Sequence, residues 1–446
     1  MEAYAATPSP RTTAMDMDKL ISHHLFSLLE TKFLFGTGCL SSGPGTPAPG
    51  FLDGGRVRVL AIDGCGAGAE DALLAAAALT RLEAGLRKLT GDPDARVAEF
   101  FDVAAGAGAG GVLAAMLFLR GPDGRPRYSA QEALAFVAAG VGKKDWTCQR
   151  SRWAKLFRPG ARGGGGDRVF QRVFGDATLR DTVAPLLVPY YDLATAAPFV
   201  FSRADAVESD AFDFRLRDVC AATCAVGRET VPMTSVDGLT AIAAASAGVA
   251  GMSNPAAAAI THVLHNKQEF PLVAGVEDLL VLSIGSCRTS AAASSTPMPT
   301  RSPSRRELAR VTAAGVADMV DESVAMAFGH ACGSNYVRIQ AGKAPTPLHA
   351  DNVAGAAGAM LAQRNVESVL FRGRRLSERT NAEKVDAVAA ELVKEQERRR
   401  CSPLPNVAIK QVGTPRLSSA TTPSSGTATA RTASSMSSPA SWDSRR

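Results

Sequence analysis

The sequence predicts an α/β fold in which a mainly parallel sheet is sandwiched by helices, and two stretches of chain support this prediction. Residues 56–62 form an apolar run that leads into the glycine-rich stretch DGCGAG and then into a helix predicted over about 71–89. A second apolar run, FFDVAA from Phe100, leads directly into GAGAGG and the apolar helix VLAAMLFL. Strand, tight glycine turn and helix, repeated, are typical of a parallel sheet that is covered on both faces.

Later strands and one late helix follow from the same patterns. Strands are predicted at residues 187–191, 198–202, 279–284 and 336–340. Residues 380–400 carry alternating charges and predict a surface helix.

Composition shifts divide the chain into four parts. These are an N-terminal helix and linker (1–55), the α/β domain (56–345), a C-terminal helical extension (346–400) and a tail (401–446). The tail is rich in Ser, Thr and Pro and has almost no large apolar residues, so we expect it to be disordered.

The composition is that of a soluble globular protein. Of 446 residues, 46% are hydrophobic, 21% are charged and only 6% are aromatic, which predicts a core of closely packed small side chains. The net charge of +6 is too modest to indicate nucleic acid as a partner. Eight scattered cysteines show no zinc-ligand spacing, and we predict no metal and no cofactor. No secretory signal is recognisable, so we expect a cytoplasmic protein.

The N-terminal helix, predicted over residues 18–35, carries an apolar stripe that ends in Phe33, Leu34 and Phe35. Two interpretations stay open. The stripe packs on the domain, or it attaches the protein reversibly to anionic lipid, with the plasma membrane as the candidate surface.

The most informative motif is Gly106-Ala107-Gly108-Ala109-Gly110, at the junction of the second strand and its helix. Serine hydrolases place their nucleophile on such a turn, G-x-S-x-G, whose glycines accept the strained backbone. The N-terminus of the following helix then stabilises negative charge on the substrate. Here the glycine frame is complete, but Gly108 occupies the nucleophile position and has no side chain. A chain rich in Gly and Ala also forms GAGAG without any catalytic role.

A second glycine-rich loop, Asp63-Gly64-Cys65-Gly66-Ala67-Gly68, closes the first strand. Successive backbone N–H groups in such a loop form an anion pocket, either an oxyanion hole or a phosphate cradle. Gly64, Gly66 and Ala69 also satisfy the dinucleotide fingerprint G-x-G-x-x-G/A. Against a nucleotide site, Asp63 would stand beside the pyrophosphate, and no acidic residue ends a second strand about 20 residues later.

These motifs resemble those of the patatin-like phospholipases, which combine D-G-G-G-x-R-G, G-T-S-T-G and a D-G-G or D-G-A element. Residues 63–68 match the first motif and residues 106–110 the second. The likeness is closer still in SNPAAAAITHVLHNKQEFPLVAGVEDLLVLSIG (253–285) and DMVDESVAMAFGHACGSNYVRIQA (318–341). Both segments are similar to the plant group whose members carry glycine in place of the serine. The resemblance covers about residues 18–345 and makes 56–345 a patatin-like phospholipase domain.

The resemblance implies lipid acyl hydrolysis, with a phospholipid or galactolipid as substrate, but both catalytic positions differ. Alignment from Asn254-Pro255 places the family's catalytic Asp at Ala247. Two substitutes are conceivable: Asp237 as a base on water, although it has the sequence of a surface turn, and the Cys65 thiol as a nucleophile. Gly68 stands where the family has Arg. Activity should therefore be weak or atypical, and the alternative is a catalytically inactive lipid-binding or regulatory protein.

Overall fold

Among the residues that the structure describes, the central sheet has eight strands, and its middle is parallel. The computed structural model describes residues 55–64, 69–141, 165–225, 231–246, 252–285, 305–329, 332–342, 352–369, 373–402 and 407–409. The strands of the sheet are β1 (Val57–Ile62), β2 (Val103–Gly106), β3 (Leu186–Asp192), β4 (Ala197–Ser202), β5 (Val231–Thr234), β6 (Ala241–Ser246), β7 (Leu279–Ile284) and β8 (Tyr336–Ile339). β1 pairs in parallel with β2 and β7, β2 with β3, and β7 with β8. Parallel neighbours have their carboxyl ends at one edge, so the loops after β1 and β2 emerge side by side.

Helices cover both faces of this sheet. Within the described residues they are α1 (Ala69–Thr90), α2 (Ala109–Phe118), α3 (Ala130–Val141), α4 (Gly165–Phe174), α5 (Arg203–Glu208), α6 (Leu216–Thr223), α7 (Ala256–His265), α8 (Arg305–Phe328), α9 (Val353–Ala362) and α10 (Asn381–Cys401). Side chains of β1 alternate between two core clusters. Leu60 and Ile62 belong to one cluster, and Val57, Val59 and Ala61 to the other. The α/β class and the helix-covered, mainly parallel sheet are confirmed.

All the predicted strands are present, and most lie within a residue of their predicted bounds. β2 is the exception, because it begins at Val103, three residues after the predicted start at Phe100, which ends a short 3-10 helix. Four more had no clear signal, namely β5, β6, β9 (Arg364–Val369) and β10 (Gly373–Thr380). The last two form a separate antiparallel hairpin. The predicted helix at 18–35, the linker after it and nearly all of the tail lie outside the described residues.

Helix α10 differs from the prediction in its packing. One face is buried, with Val385 and Leu392 fully enclosed. Glu395 is also fully buried, because its carboxylate accepts hydrogen bonds from the N–H and Nε of Arg56 at the start of β1. The expectation of a surface helix is therefore wrong for this face, since charged residues that pair across the fold look like solvated ones in the sequence. A few residues further on, the N–H of Ala408 donates to the carbonyl of Glu269 at 2.8 Å.

Within the described residues, no helix combines the length and the apolar character needed to cross a bilayer.

Candidate active site

The turn between β2 and α2 has the backbone of a nucleophile elbow. Gly108 is the N-cap of α2 and adopts φ 54° and ψ −128°, a combination that side chains with a Cβ rarely accept. A serine hydrolase stores strain at this point, because its nucleophile must stand on the sharp turn. Glycine adopts the same conformation without that strain. The fold has thus kept the shape of the elbow while the side chain is absent.

Backbone crowding explains the glycines on either side. A Cβ added at Gly106 would lie 2.5 Å from the carbonyl oxygen of Gly110 and 2.6 Å from the Cα of Gly111. A Cβ at Gly110 would collide with the carbonyl oxygen of Ile62 at the end of β1. The strand, the turn and the helix therefore approach as closely as their backbones allow. Glycine is therefore required by packing at both flanking positions, Gly106 and Gly110.

The first glycine-rich loop touches this turn at Gly64. A Cβ there would collide with the carbonyl oxygen of Ala107 and would lie 2.9 Å from the nitrogen of Ala109. The N–H of Ala109 also donates to the carbonyl of Gly64 at 3.2 Å. The loop after β1 and the nucleophile turn are therefore in direct contact at the carboxyl edge of the sheet. The other predicted members of this loop, Cys65, Gly66 and Gly68, lie outside the described residues.

A buried threonine completes the turn. The N–H of Gly108 donates to the Oγ1 of Thr223, at the end of α6, across 2.8 Å. Thr223 is fully buried. This arrangement holds the N–H at the nucleophile position and directs it into the core. The N–H of Gly108 is therefore not available to bind an incoming acyl oxygen.

Asp63, the residue that precedes Gly64, is fixed by a buried ion pair. Arg338 on β8 donates through its two Nη atoms to the carboxylate of Asp63, at 2.5 Å and 3.3 Å. Its Nε lies 3.3 Å from Oδ1 of Asp321 on α8. Burial alone would lower the pKa of the Arg338 guanidinium, but the charges of Asp63 and Asp321 raise that pKa above its usual range. The start of the loop is thus anchored by a permanent charge.

Sequence reasoning missed both Thr223 and Arg338. Arg338 had a signal, because a single arginine in the otherwise apolar strand YVRI requires a buried partner. Thr223 had none, since a threonine at the end of a helix is unremarkable in the sequence.

Strand β6 leads towards the position at which the resemblance places the family's catalytic Asp. Strand β4 occupies one edge of β3 along residues 187–192, so β2 and β6 share the other edge. β2 pairs with β3 up to Leu187, and Ser246, the last residue of β6, lies opposite Tyr190. The separation is three residues of strand, about 10 Å. The chain therefore leaves β6 next to the turn at the end of β2. Ala247 itself lies outside the described residues.

Asp237, the suggested substitute base, lies elsewhere. It stands in the turn between β5 and β6, where its carboxylate accepts from the Ser235 hydroxyl at 2.6 Å and the Leu239 N–H at 3.0 Å. These hydrogen bonds lower the pKa of Asp237. β6 runs from this turn towards the site, so its whole length separates Asp237 from the elbow. The contacts are those of a turn-forming aspartate and give no support to a role as base.

Comparison with known proteins agrees with this geometry. Residues 60–227 match the family model described as Patatin-like phospholipase. The chain is 54% identical over 394 residues to Patatin-like protein 3 of Oryza sativa subsp. indica. The alignment covers 85% of this chain and 92% of that protein. The chain therefore belongs to the patatin-like phospholipase family.

Other similar members also come from plants. Patatin-like protein 7 of Arabidopsis thaliana is 43% identical over 425 residues, covering 89% of this chain and 85% of that protein. Probable inactive patatin-like protein 9 of the same plant is 38% identical over 392 residues, covering 85% and 93%.

Proposed function

We propose that this protein is a lipid acyl hydrolase acting on phospholipids and galactolipids, with activity that is weak or atypical. The observation that carries the proposal is the elbow at Gly108, with its positive φ and its contact with Gly64. Serine hydrolases present their nucleophile on a turn of this kind, beside a helix N-terminus that stabilises negative charge on the substrate. Membership of the patatin-like phospholipase family supports a lipid ester as the substrate class.

The second candidate is a catalytically inactive protein that binds lipid or regulates another enzyme. Two observations favour it. Gly108 offers no nucleophilic atom, and one relative is itself named as probably inactive. Hydrolases stripped of nucleophile and base retain about 10³–10⁴-fold catalysis over water from binding and the oxyanion hole alone. Residual hydrolysis by this chain would have that origin.

The deciding experiment measures fatty acid release from phosphatidylcholine and a galactolipid. It compares the wild type with the double variant Gly108→Ser, Ala247→Asp. The control Gly108→Ala, Ala247→Asp imposes the same backbone strain but adds no hydroxyl. We expect low turnover by the wild type, a large gain in the serine variant and no gain in the control. Release that is undetectable in the wild type and restored only by serine would favour the inactive binder.

A further inference from the structure

Two β-hairpins project beyond the edge of the sheet that carries the candidate site. β2 ends at Gly106, and its last paired neighbour on β3 is Leu187, opposite Ala105. β3 continues five residues beyond Leu187 to Asp192, on the order of 16 Å further along. It then turns back into β4, so the β3–β4 turn stands above the level of the elbow.

The second hairpin, β5–β6, reaches further in the same direction. β6 is antiparallel to β3, and the N–H of Leu193 donates to the carbonyl of Ala243 at 3.1 Å. β6 begins before that point, at Ala241, and the turn before it lies further out still. Both turns therefore point away from the domain on the side of Gly108.

These turns expose large apolar side chains. We call Leu193, Phe199, Phe212, Val236 and Leu239 the tip surface; their exposed fractions are 47%, 42%, 54%, 52% and 83%. Phe212 belongs with them because the N–H of Val236 donates to the carbonyl of Asp213 at 2.8 Å. Within the described residues, five of the eleven exposed large apolar side chains lie here. Such a concentration in neighbouring turns marks an interaction surface.

The tip surface is held rigidly. Asp192 accepts from the N–H of Ala194 at 3.2 Å and from the hydroxyl of Thr195 at 2.7 Å, which fixes the first turn. Phe199 stacks on Tyr190 with ring centroids 5.8 Å apart, and Tyr190 stacks on Phe201 in the core. The exposed ring of Phe199 is thus anchored to the core through Tyr190.

The charges around these turns identify the partner. Residues 192–202 and 231–246 contain no lysine or arginine, and their only charged residues are Asp192 and Asp237. The short helical turn that holds Phe212 adds Asp210, whose carboxylate is paired with Arg180 at 2.5 Å. Turns without a cation give anionic head groups no electrostatic attraction, so this surface is compatible with neutral head groups. Narrow convex turns also insert between head groups, whereas a stable protein interface needs about 800 Å² of matched surface on each partner.

We propose that the tip surface docks onto an electrically neutral lipid bilayer and so brings the elbow edge of the sheet against the lipid. This inference deepens the proposed function and rests on it for the identity of the ligand. It differs from attachment by residues 18–35, which would require anionic lipid. Partial insertion of leucine and phenylalanine into the acyl boundary supplies the binding energy, so salt should have little influence.

Flotation of the full-length protein with phosphatidylcholine vesicles, at low and high salt, tests the proposal. The variant Leu193→Ser, Leu239→Ser should bind at least about tenfold more weakly, since removing one fully buried leucine is already worth that factor. The control Leu89→Ser changes an equally exposed leucine near the end of α1, which leads away from the site edge, and should bind like the wild type. Circular dichroism confirms that both variants are folded.

Three results would overturn the docking surface. One is equal binding by the double variant and the wild type. Another is binding that requires phosphatidylglycerol and disappears with salt or on deletion of residues 1–36. The third is a wild type that does not float with neutral vesicles at all. Hydrolysis of a soluble short-chain ester distinguishes failure of the docking surface from failure of the proposed function. This reaction needs no bilayer, so the wild type and the tip variant should hydrolyse the ester equally.

Discussion

The N–H of Gly108 and the hydroxyl of Thr223 form a 2.8 Å hydrogen bond inside the core, between two elements 115 residues apart in sequence. The bond joins the end of α6 to the N-terminus of α2. The first N–H groups of a helix have no partner within that helix and require one from outside. A buried threonine therefore caps a turn whose own side chain is missing.

The first prediction follows from this bond. Thr223→Val keeps the volume but removes the acceptor, which leaves the Gly108 N–H buried and unpaired. We expect the free energy of unfolding to fall by about 1–3 kcal/mol. Urea denaturation followed by circular dichroism measures it. Thr223→Ser restores the hydroxyl and should recover much of the loss. Equal stability of the valine variant and the wild type would show that the bond contributes nothing.

The second prediction concerns the contact between the two glycine loops. Gly64→Ala would place a Cβ against the backbone of Ala107 and Gly110, atoms that cannot move without displacing α2. We expect a loss of about 3 kcal/mol or more, or failure to fold. Gly315→Ala is the matched control. It lies within α8 with no atom within 4 Å of the new Cβ, and should stabilise the protein by up to about 1 kcal/mol. Similar effects of the two substitutions would contradict the crowding.

The sequence predicts those elements of the structure that are determined by neighbouring residues in the chain. β1 and β2 belong to largely apolar runs, interrupted only by Arg58 and Asp102, that are followed by glycine-rich turns, so their position and the turns after them could be predicted. β9 (RNVESV) and β10 (GRRLSERT) are polar strands that exist by pairing with each other, which no local pattern reveals. The elbow was visible as a motif. Thr223 and Arg338, which fix the elbow and the adjoining loop, could not be recognised in the same way because they lie on elements far away in the sequence.

The third prediction concerns acid stability at the opposite end of β2. Asp102 is buried between Arg58 and Arg399, with Nη2 of each arginine at 3.1 Å and 2.8 Å from its carboxylate. Burial alone would raise the pKa of Asp102, but the two guanidinium groups hold it at about 2. Because the folded-state pKa is lowered, the stabilisation is present above about pH 4 and is lost as the pH falls towards 2.

We therefore expect the wild type to lose roughly 2 kcal/mol from this group over that interval. Asp102→Asn should be less stable at neutral pH, and its free energy of unfolding should decline less steeply in acid. Urea unfolding at a series of pH values measures both slopes. Asp386→Asn breaks an exposed pair with Arg81 and serves as the control, since such pairs contribute about 0–1 kcal/mol. Parallel curves for the wild type and Asp102→Asn would disprove the assignment.

The last prediction tests the elbow directly with a serine-directed fluorophosphonate probe. The wild type should show no labelling at residue 108, because glycine has no oxygen to phosphonylate. In Gly108→Ser, Ala247→Asp the new hydroxyl stands at a position whose backbone already has φ 54°. A residue with a side chain adopts this conformation only at a cost of about 1–3 kcal/mol, so the surrounding close contacts must be strong enough to hold it there. If they do, the serine is presented at the N-terminus of α2 next to the Gly64 loop and is labelled there.

Peptide mass spectrometry locates the adduct, and Gly108→Ser alone shows how far the restored Asp activates the hydroxyl. A folded double variant that is never labelled at residue 108 would mean that the turn keeps the backbone of an elbow without directing a side chain to the substrate.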